Sequence, residues 1–307
     1  MNMARFARKH HYVPAGYLAG FAVPEARDGH LLVFDLELRH TRVSTPNAEA
    51  CEKDYHRIDM PGVAPDFYET RLAQFEATVP SAIRSLEADP VSLHDHLNVV
   101  LNFMALTAIR IPFMRRGFIK QTETEIGLPF DQAVREPRHW IEVERWLGKV
   151  GTDWTHERTI RLCTDHDYAK AASQASQFFH MVMYQDTLLG LLTQRSWSAF
   201  ISPHEDNCFI CSDNPVGLES PVVETGATPS FADRESIVTF PLNRRIALMG
   251  RYDEEPFVAD VGRQTVARVN MQALREATRC LYAPKDTAPG MQEDGSVGYL
   301  RDTLAWK

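Results

Sequence analysis

SWSAFIS (196–202), NCFICS (207–212), SIVTFPL (236–242) and RIALMG (245–250) are short runs rich in Val, Ile, Phe and Trp, parted by turn residues. Side chains of that shape pack well on a pleated, half-buried surface. The four runs predict an antiparallel sheet or meander in the last third of the chain. Just upstream, Tyr168 to Arg195 has helical spacing, and Phe178, Phe179, Val182, Leu188, Leu189 and Leu192 make it apolar enough for a core. Past the sheet, a helix over about 261–279 leads into CLYAP (280–284), a closing strand.

Nearer the N-terminus, Phe67, Leu72, Phe75, Val79 and Ile83 recur at helical spacing, and Pro80 inside that pattern should kink or shorten the helix. Ser92 suits an N-cap, because its hydroxyl can satisfy a free amide of the first turn. The helix it would open runs through NVVLNFMALTAIR (98–110) to a kink at Pro112, and on toward Lys120. A further helical stretch covers about 131–149. LLVFDL (31–36) and HTRVST (40–45) pair as a hairpin. Helices followed by strands predict an α+β fold: an N-terminal hairpin, a helical middle over about 66–195, and a sheet part over about 196–284 closed by a helix. Residues 1–284 read as a single domain, and Gly, Asp and Pro in 285–298 make 285–307 a loose C-terminal tail.

The chain of 307 residues is 44% apolar and 24% charged, a globular balance in one large or two closely packed domains. Its five cysteines are odd in number and scattered, which suits a reducing compartment and sets the cytoplasm as the default. The basic start, MNMARFARKHHYVP, lacks the apolar stretch of a signal peptide. Phe178 to Leu192 is interrupted by His180, Gln185 and Asp186, so no bilayer span is expected. A net charge of −8 argues against the broad basic face of nonspecific nucleic-acid binders, while a local groove would still serve a nuclease.

CFIC (208–211) with His204 offers three zinc ligands. On a strand, however, positions three apart face opposite ways, and no second CxxC follows, so buried thiols without zinc or disulfide are expected. RLCTDH (161–166) has the Arg-to-His spacing of some metal-independent ribonucleases, a pattern that common residues also produce by chance. Walker, GxGxxG, HExxH and GxSxG motifs are all missing from the sequence.

Four features carry chemistry. Glu69 and Glu76 lie two helical turns apart, so both carboxylates project from one side and could hold a hard divalent cation or simply be solvated. Arg110 ends an apolar stretch and needs a partner; either glutamate would pair with it, or it would grip a substrate anion bidentately. His10 and His11 precede VPAGYLAGF, whose apolar character suggests that the region packs down, and a histidine there can act as base or ligand near neutral pH. SDNP (212–215) places Asp213 and Asn214 at a strand end, equally suited to presenting functional side chains or to forming a turn.

Together these segments resemble the bacterial domain of unknown function family 4238. The resemblance rests on HHYVPAGYLAGFA, LLVFDL, CEKDYH, YETRLAQFE, AIRIP, FICSDNPV, FPLNRRIAL and VNMQALREATRCLYA, in the family's order; Ala108 and Ile109 beside Arg110, and Asn243, depart from its pattern. It implies one family domain and no particular reaction. It also groups His11, Glu69, Glu76, Arg110, Asp213 and Asn214 as one candidate site. The resulting expectation is a metal-assisted hydrolase, a phosphodiesterase or nuclease acting on a phosphate-containing substrate or nucleic acid. Glu69, Glu76 and Asp213 would hold Mg or Mn, Arg110 the phosphate, and His11 and Asn214 would complete the catalytic set. The alternative is a noncatalytic interaction or scaffold protein whose ion pairs are structural.

Overall fold

The computed structural model describes residues 9–57, 64–122, 166–220 and 229–304, with Ile141 and Glu157 besides. The chain opens with strands β1 (Lys9–His11), β2 (Leu31–Asp35), β3 (His40–Ser44) and β4 (Cys51–Lys53), with the short helix α1 (Ala15–Leu18) after the first. Helices α2 (Phe67–Glu76), α3 (Val79–Ala88), α4 (Leu93–Ile109), α5 (Pro112–Thr122) and α6 (His166–Thr193) follow. The remainder is β5 (Ser196–Ile201), β6 (Cys211–Ser212), β7 (Gly217–Glu219), β8 (Ile237–Pro241), β9 (Ile246–Arg251), β10 (Val258–Asp260), α7 (Arg263–Glu276), β11 (Cys280–Ala283), β12 (Pro289–Met291), β13 (Val297–Tyr299) and α8 (Leu300–Leu304). This is the α+β mix that the sequence predicts. Among the described residues no single helix is long and apolar enough to cross a membrane.

The chain divides into two compact units, each with its own described residues. The larger takes these from 7–55, 71–111 and 185–307; the smaller takes them from 56–70 and 112–184. In the larger unit, three of the four runs that predict a meander, SWSAFIS, SIVTFPL and RIALMG, join a five-stranded sheet in the order β10-β5-β9-β8-β7, antiparallel except where β10 joins β5, while NCFICS lends β6 to another sheet. The N-terminal hairpin becomes half of a second sheet, β3-β2-β11-β6. Helix α7 carries apolar residues for both sheets. Val266 and Val269 pack with Phe200, Phe209 and Met249, while Ala273 joins Phe34, Ile210 and Leu281. In the smaller unit, the Tyr68 ring meets Phe178 edge-on with centroids 5.3 Å apart, and its hydroxyl reaches Met181 Sδ at 3.5 Å.

Three segments depart from what the sequence predicts. NCFICS pairs as a strand only at Cys211 and Ser212. Upstream, the buried Asn270 of α7 accepts from the Ile210 amide (3.0 Å) and donates to the Cys208 carbonyl (3.0 Å), in place of ladder bonds. Ser92 caps nothing: its hydroxyl donates to the Asp89 carbonyl at 2.7 Å, and Asp89 accepts from the Val91 amide at the turn before α4. The expected loose tail is ordered over residues 285–304. Asp294 and Gly295, the latter at φ 79°, turn β12 into β13, and Leu300 is wholly buried. Asp and Gly mark a hairpin turn there rather than disorder. Pro80 does interrupt the helical pattern, since α2 stops at Glu76 and α3 starts at Val79. The helix expected over 131–149 and most of RLCTDH lie outside the described residues.

Candidate functional site

Each candidate residue is placed by its local segment. VPAGYLAGF packs down: Val13, Leu18 and Phe21 are wholly buried, and Tyr17 stacks on Phe240 with centroids 5.4 Å apart while its hydroxyl donates to the Pro241 carbonyl. That anchor fixes β1, which pairs with β4 so that His11 faces Cys51 in register. Alternation along the strand buries His10 and leaves His11 partly open. Nε2 of His11 lies 3.3 Å from the Asn47 carbonyl oxygen; when that nitrogen carries the proton it donates there, and the lone pair falls on Nδ1. Burial lowers the His11 pKa, Lys9 and Arg27 add to the fall, and the Asn47 contact and the Glu76 charge oppose it. The balance favours the neutral imidazole.

Helix α4 closes at Ile109 because Pro112, two residues past Arg110, has no amide to continue the ladder. Arg110 is the C-cap, and its side chain is only 1% exposed. Its Nη1 donates to Glu76 Oε1, so of the two glutamates that could pair with it, Glu76 is the one that does. Its Nε and Nη2, by contrast, have no hydrogen-bond partner among the described residues. These two N–H groups point along one edge of the planar guanidinium, the edge that fits two oxygens of an oxyanion. Leaving buried donors unmade costs free energy. Among the described residues, the fold therefore holds a buried fork that meets no protein acceptor.

Two tyrosines that site reasoning from the sequence missed support this corner. Tyr55 donates its hydroxyl to the Arg110 carbonyl at 2.7 Å, which fixes the helix end. The Tyr12 ring lies 5.7 Å from that of Tyr55. Burial first, and then the charge of Asp213, pushes the Tyr12 phenol well above its usual pKa, so it stays protonated. Both residues sit inside motifs quoted for the family, HHYVP and CEKDYH, and that was the signal available.

The remaining candidates are engaged elsewhere. Glu69 belongs to the smaller unit, where it lies 3.9 Å from His56 Nε2. Asp213 is buried with its Oδ1 accepting from the Thr278 amide at 2.8 Å, and the amides of Cys280 and Arg279 add to the cradle. Burial still outweighs these bonds and raises the Asp213 pKa. Asn214 donates to the Glu276 carbonyl at 3.2 Å, and the Glu276 carboxylate accepts from the Leu218 amide at 3.3 Å. SDNP thus ties down the C-terminal end of α7. Among the described residues no three His, Cys, Asp or Glu side chains form a group that would hold a metal ion. Cys51, Cys208, Cys211 and Cys280 are free thiols, and burial pushes the Cys208 thiol up to about 11.

The fold and this corner define an α+β protein built around a buried, half-satisfied arginine. The chain belongs to the family described as "Protein of unknown function (DUF4238)", whose model matches residues 9–287. Comparison with curated proteins and with solved structures gives no match.

Proposed function

We propose that the protein is a hydrolase of phosphate-containing substrates, a phosphodiesterase or nuclease, in which Arg110 holds the phosphate and His11 takes the proton of the attacking water. The observation that carries this reading is the buried Nε–Nη2 edge of Arg110, which has no hydrogen-bond partner among the described residues. A neutral imidazole within reach of the Glu76 charge suits a general base, because protonating it creates a cation that Glu76 stabilises. Water oxygen would attack phosphorus, its proton would pass to His11, and one ester P–O bond would break, with the leaving oxygen protonated from solvent. Mg or Mn has no assigned ligand set in this scheme, and titration with manganese tests whether a cation joins. A cytoplasmic home goes with this reading, supported by the free thiols.

The test is turnover of bis(4-nitrophenyl) phosphate, with and without manganese, by wild type, Arg110→Lys and His11→Asn. Each variant should lose about a hundredfold, the usual weight of a positioned base or anion clamp. Equal rates in all three would defeat the proposal. One observation favours the second reading, a noncatalytic interaction or scaffold protein: Asp213 and Asn214 serve the end of α7. Anion binding without turnover would decide for it.

A further inference from the structure

The charge borne by the ligand follows from what already touches Arg110. One arm of the guanidinium is neutralised by Glu76, whose side chain is 23% exposed, while the other edge has no hydrogen-bond partner among the described residues. A ligand on that edge would share one cation with a carboxylate fixed a guanidinium's width away. Each negative charge on the ligand then meets Glu76 through protein, where screening is weak. Lys9 and Arg27, the cations felt by His11, are both exposed, so solvent screens their pull on a buried anion. Tyr55 is turned to the Arg110 carbonyl, and Tyr12 stays protonated.

We propose that the buried, unpartnered edge of Arg110 is a bidentate seat for a singly charged oxyanion, and that Glu76 sets this selectivity by opposing a second negative charge. The inference rests on the anion-binding half of the function proposed above and is independent of its chemistry. Carboxylates and phosphodiesters share the required feature, two oxygens and one charge. Phosphomonoesters and sulfate, as dianions, are disfavoured. For a nuclease or phosphodiesterase this means that the diester substrate is retained while the monoester product is expelled. Glu76 is then a specificity residue that need not touch the reacting atoms.

Arg195 is a useful contrast. It is also buried, but its Nη1 donates to the Ser236 carbonyl at 2.7 Å and its Nη2 to the Phe231 carbonyl at 2.7 Å, leaving Nε alone unpartnered among the described residues. A single donor does not make a fork, so Arg195 reads as a pin between segments.

Calorimetric titration of the full chain tests the proposal with methyl sulfate and sulfate, which present similar oxygens and differ by one charge. Dimethyl phosphate and acetate distinguish the two sources of a monoanion. Wild type should bind methyl sulfate at least about tenfold more tightly than sulfate, a ratio equivalent to about 1.4 kcal/mol. Glu76→Gln keeps an acceptor for Arg110 and removes the charge, so the ratio should fall toward one, chiefly through tighter sulfate binding. Arg110→Lys should lose bidentate binding of every probe. Thermal melts check that both variants fold; should Glu76→Gln fail to do so, Glu76→Asp, which keeps the charge, must retain the wild-type ratio. Sulfate binding as tightly as methyl sulfate to wild type, or a ratio unchanged in Glu76→Gln, would overturn the assignment of Glu76. Absence of binding by all four probes would overturn the seat itself. Binding without hydrolysis would defeat only the proposed reaction.

Discussion

The corner at Arg110 and the loop at Asp213 are both buried, both charged, and both built from segments that carry family motifs. They differ in how their polar atoms are satisfied. Around Asp213 the accounting closes: the carboxylate takes the amides that follow α7, and Asn214 takes the Glu276 carbonyl. At Arg110 it does not close, because two donors on one edge face no acceptor among the described residues. A buried charge whose bonds are complete is explained by architecture alone. Under the proposal, the unused recognition edge at Arg110 is where a ligand binds. Residue type and burial do not distinguish the two places; hydrogen-bond satisfaction does, and the proposal rests on that difference.

The largest expected effect lies on the architectural side. Asp213→Ala leaves a set of backbone amides unpaired and should cost about 3 kcal/mol of stability in urea unfolding, with anion binding unchanged in the folded fraction. Arg110→Lys should do the reverse. The Nε–Nη2 edge makes no hydrogen bond among the described residues and lysine keeps a charge for Glu76, so stability should change by less than about 1 kcal/mol while turnover falls about a hundredfold. A large stability loss in Arg110→Lys with intact turnover would erase the contrast.

The pH dependence sharpens it further. Burial holds the folded Asp213 pKa above its unfolded value, so its contribution to stability is complete at low pH and is lost as pH rises through the raised folded value. The stability advantage of wild type over Asp213→Asn should therefore shrink between pH ~4 and ~7. Glu49 runs the other way. Burial alone would raise its pKa, but the Arg42 guanidinium and Ser44 hydroxyl together hold it low, so the advantage over Glu49→Gln should grow across the same range. Urea midpoints at both pH values check the two signs, and an Asp213 advantage that grew would mean its carboxylate is the favoured form. The smallest effect is expected for Asn214→Ala, which removes two hydrogen bonds to Glu276, one of them long at 3.5 Å, at a half-buried position and should cost about 1 kcal/mol in the same assay.

Much of this could be read in the sequence. Runs such as SIVTFPL and RIALMG have β-branched and aromatic content that leaves little choice but a sheet, and they pair as β8 and β9. A charge beside a core, with carboxylates at helical spacing, pointed to a pair with Glu69 or Glu76, and only the structure picks Glu76. What was illegible depends on partners far away in the chain. Asn270 draws Cys208 and Ile210 out of a strand, and no local pattern announces it. Tyr55 meets Arg110 only through the tertiary fold. The partners of SDNP were likewise illegible locally, because they belong to the end of α7 and the residues after it.

The claim that the Arg110 edge is a ligand seat is tested most directly by following the Nε–H resonance of Arg110, assigned by its loss in Arg110→Lys, as dimethyl phosphate is added. The expected result is a saturable shift and stronger protection from exchange at Arg110, with the Nε–H of Arg195 unmoved. An Arg110 resonance that stays unchanged up to saturating diester would contradict it.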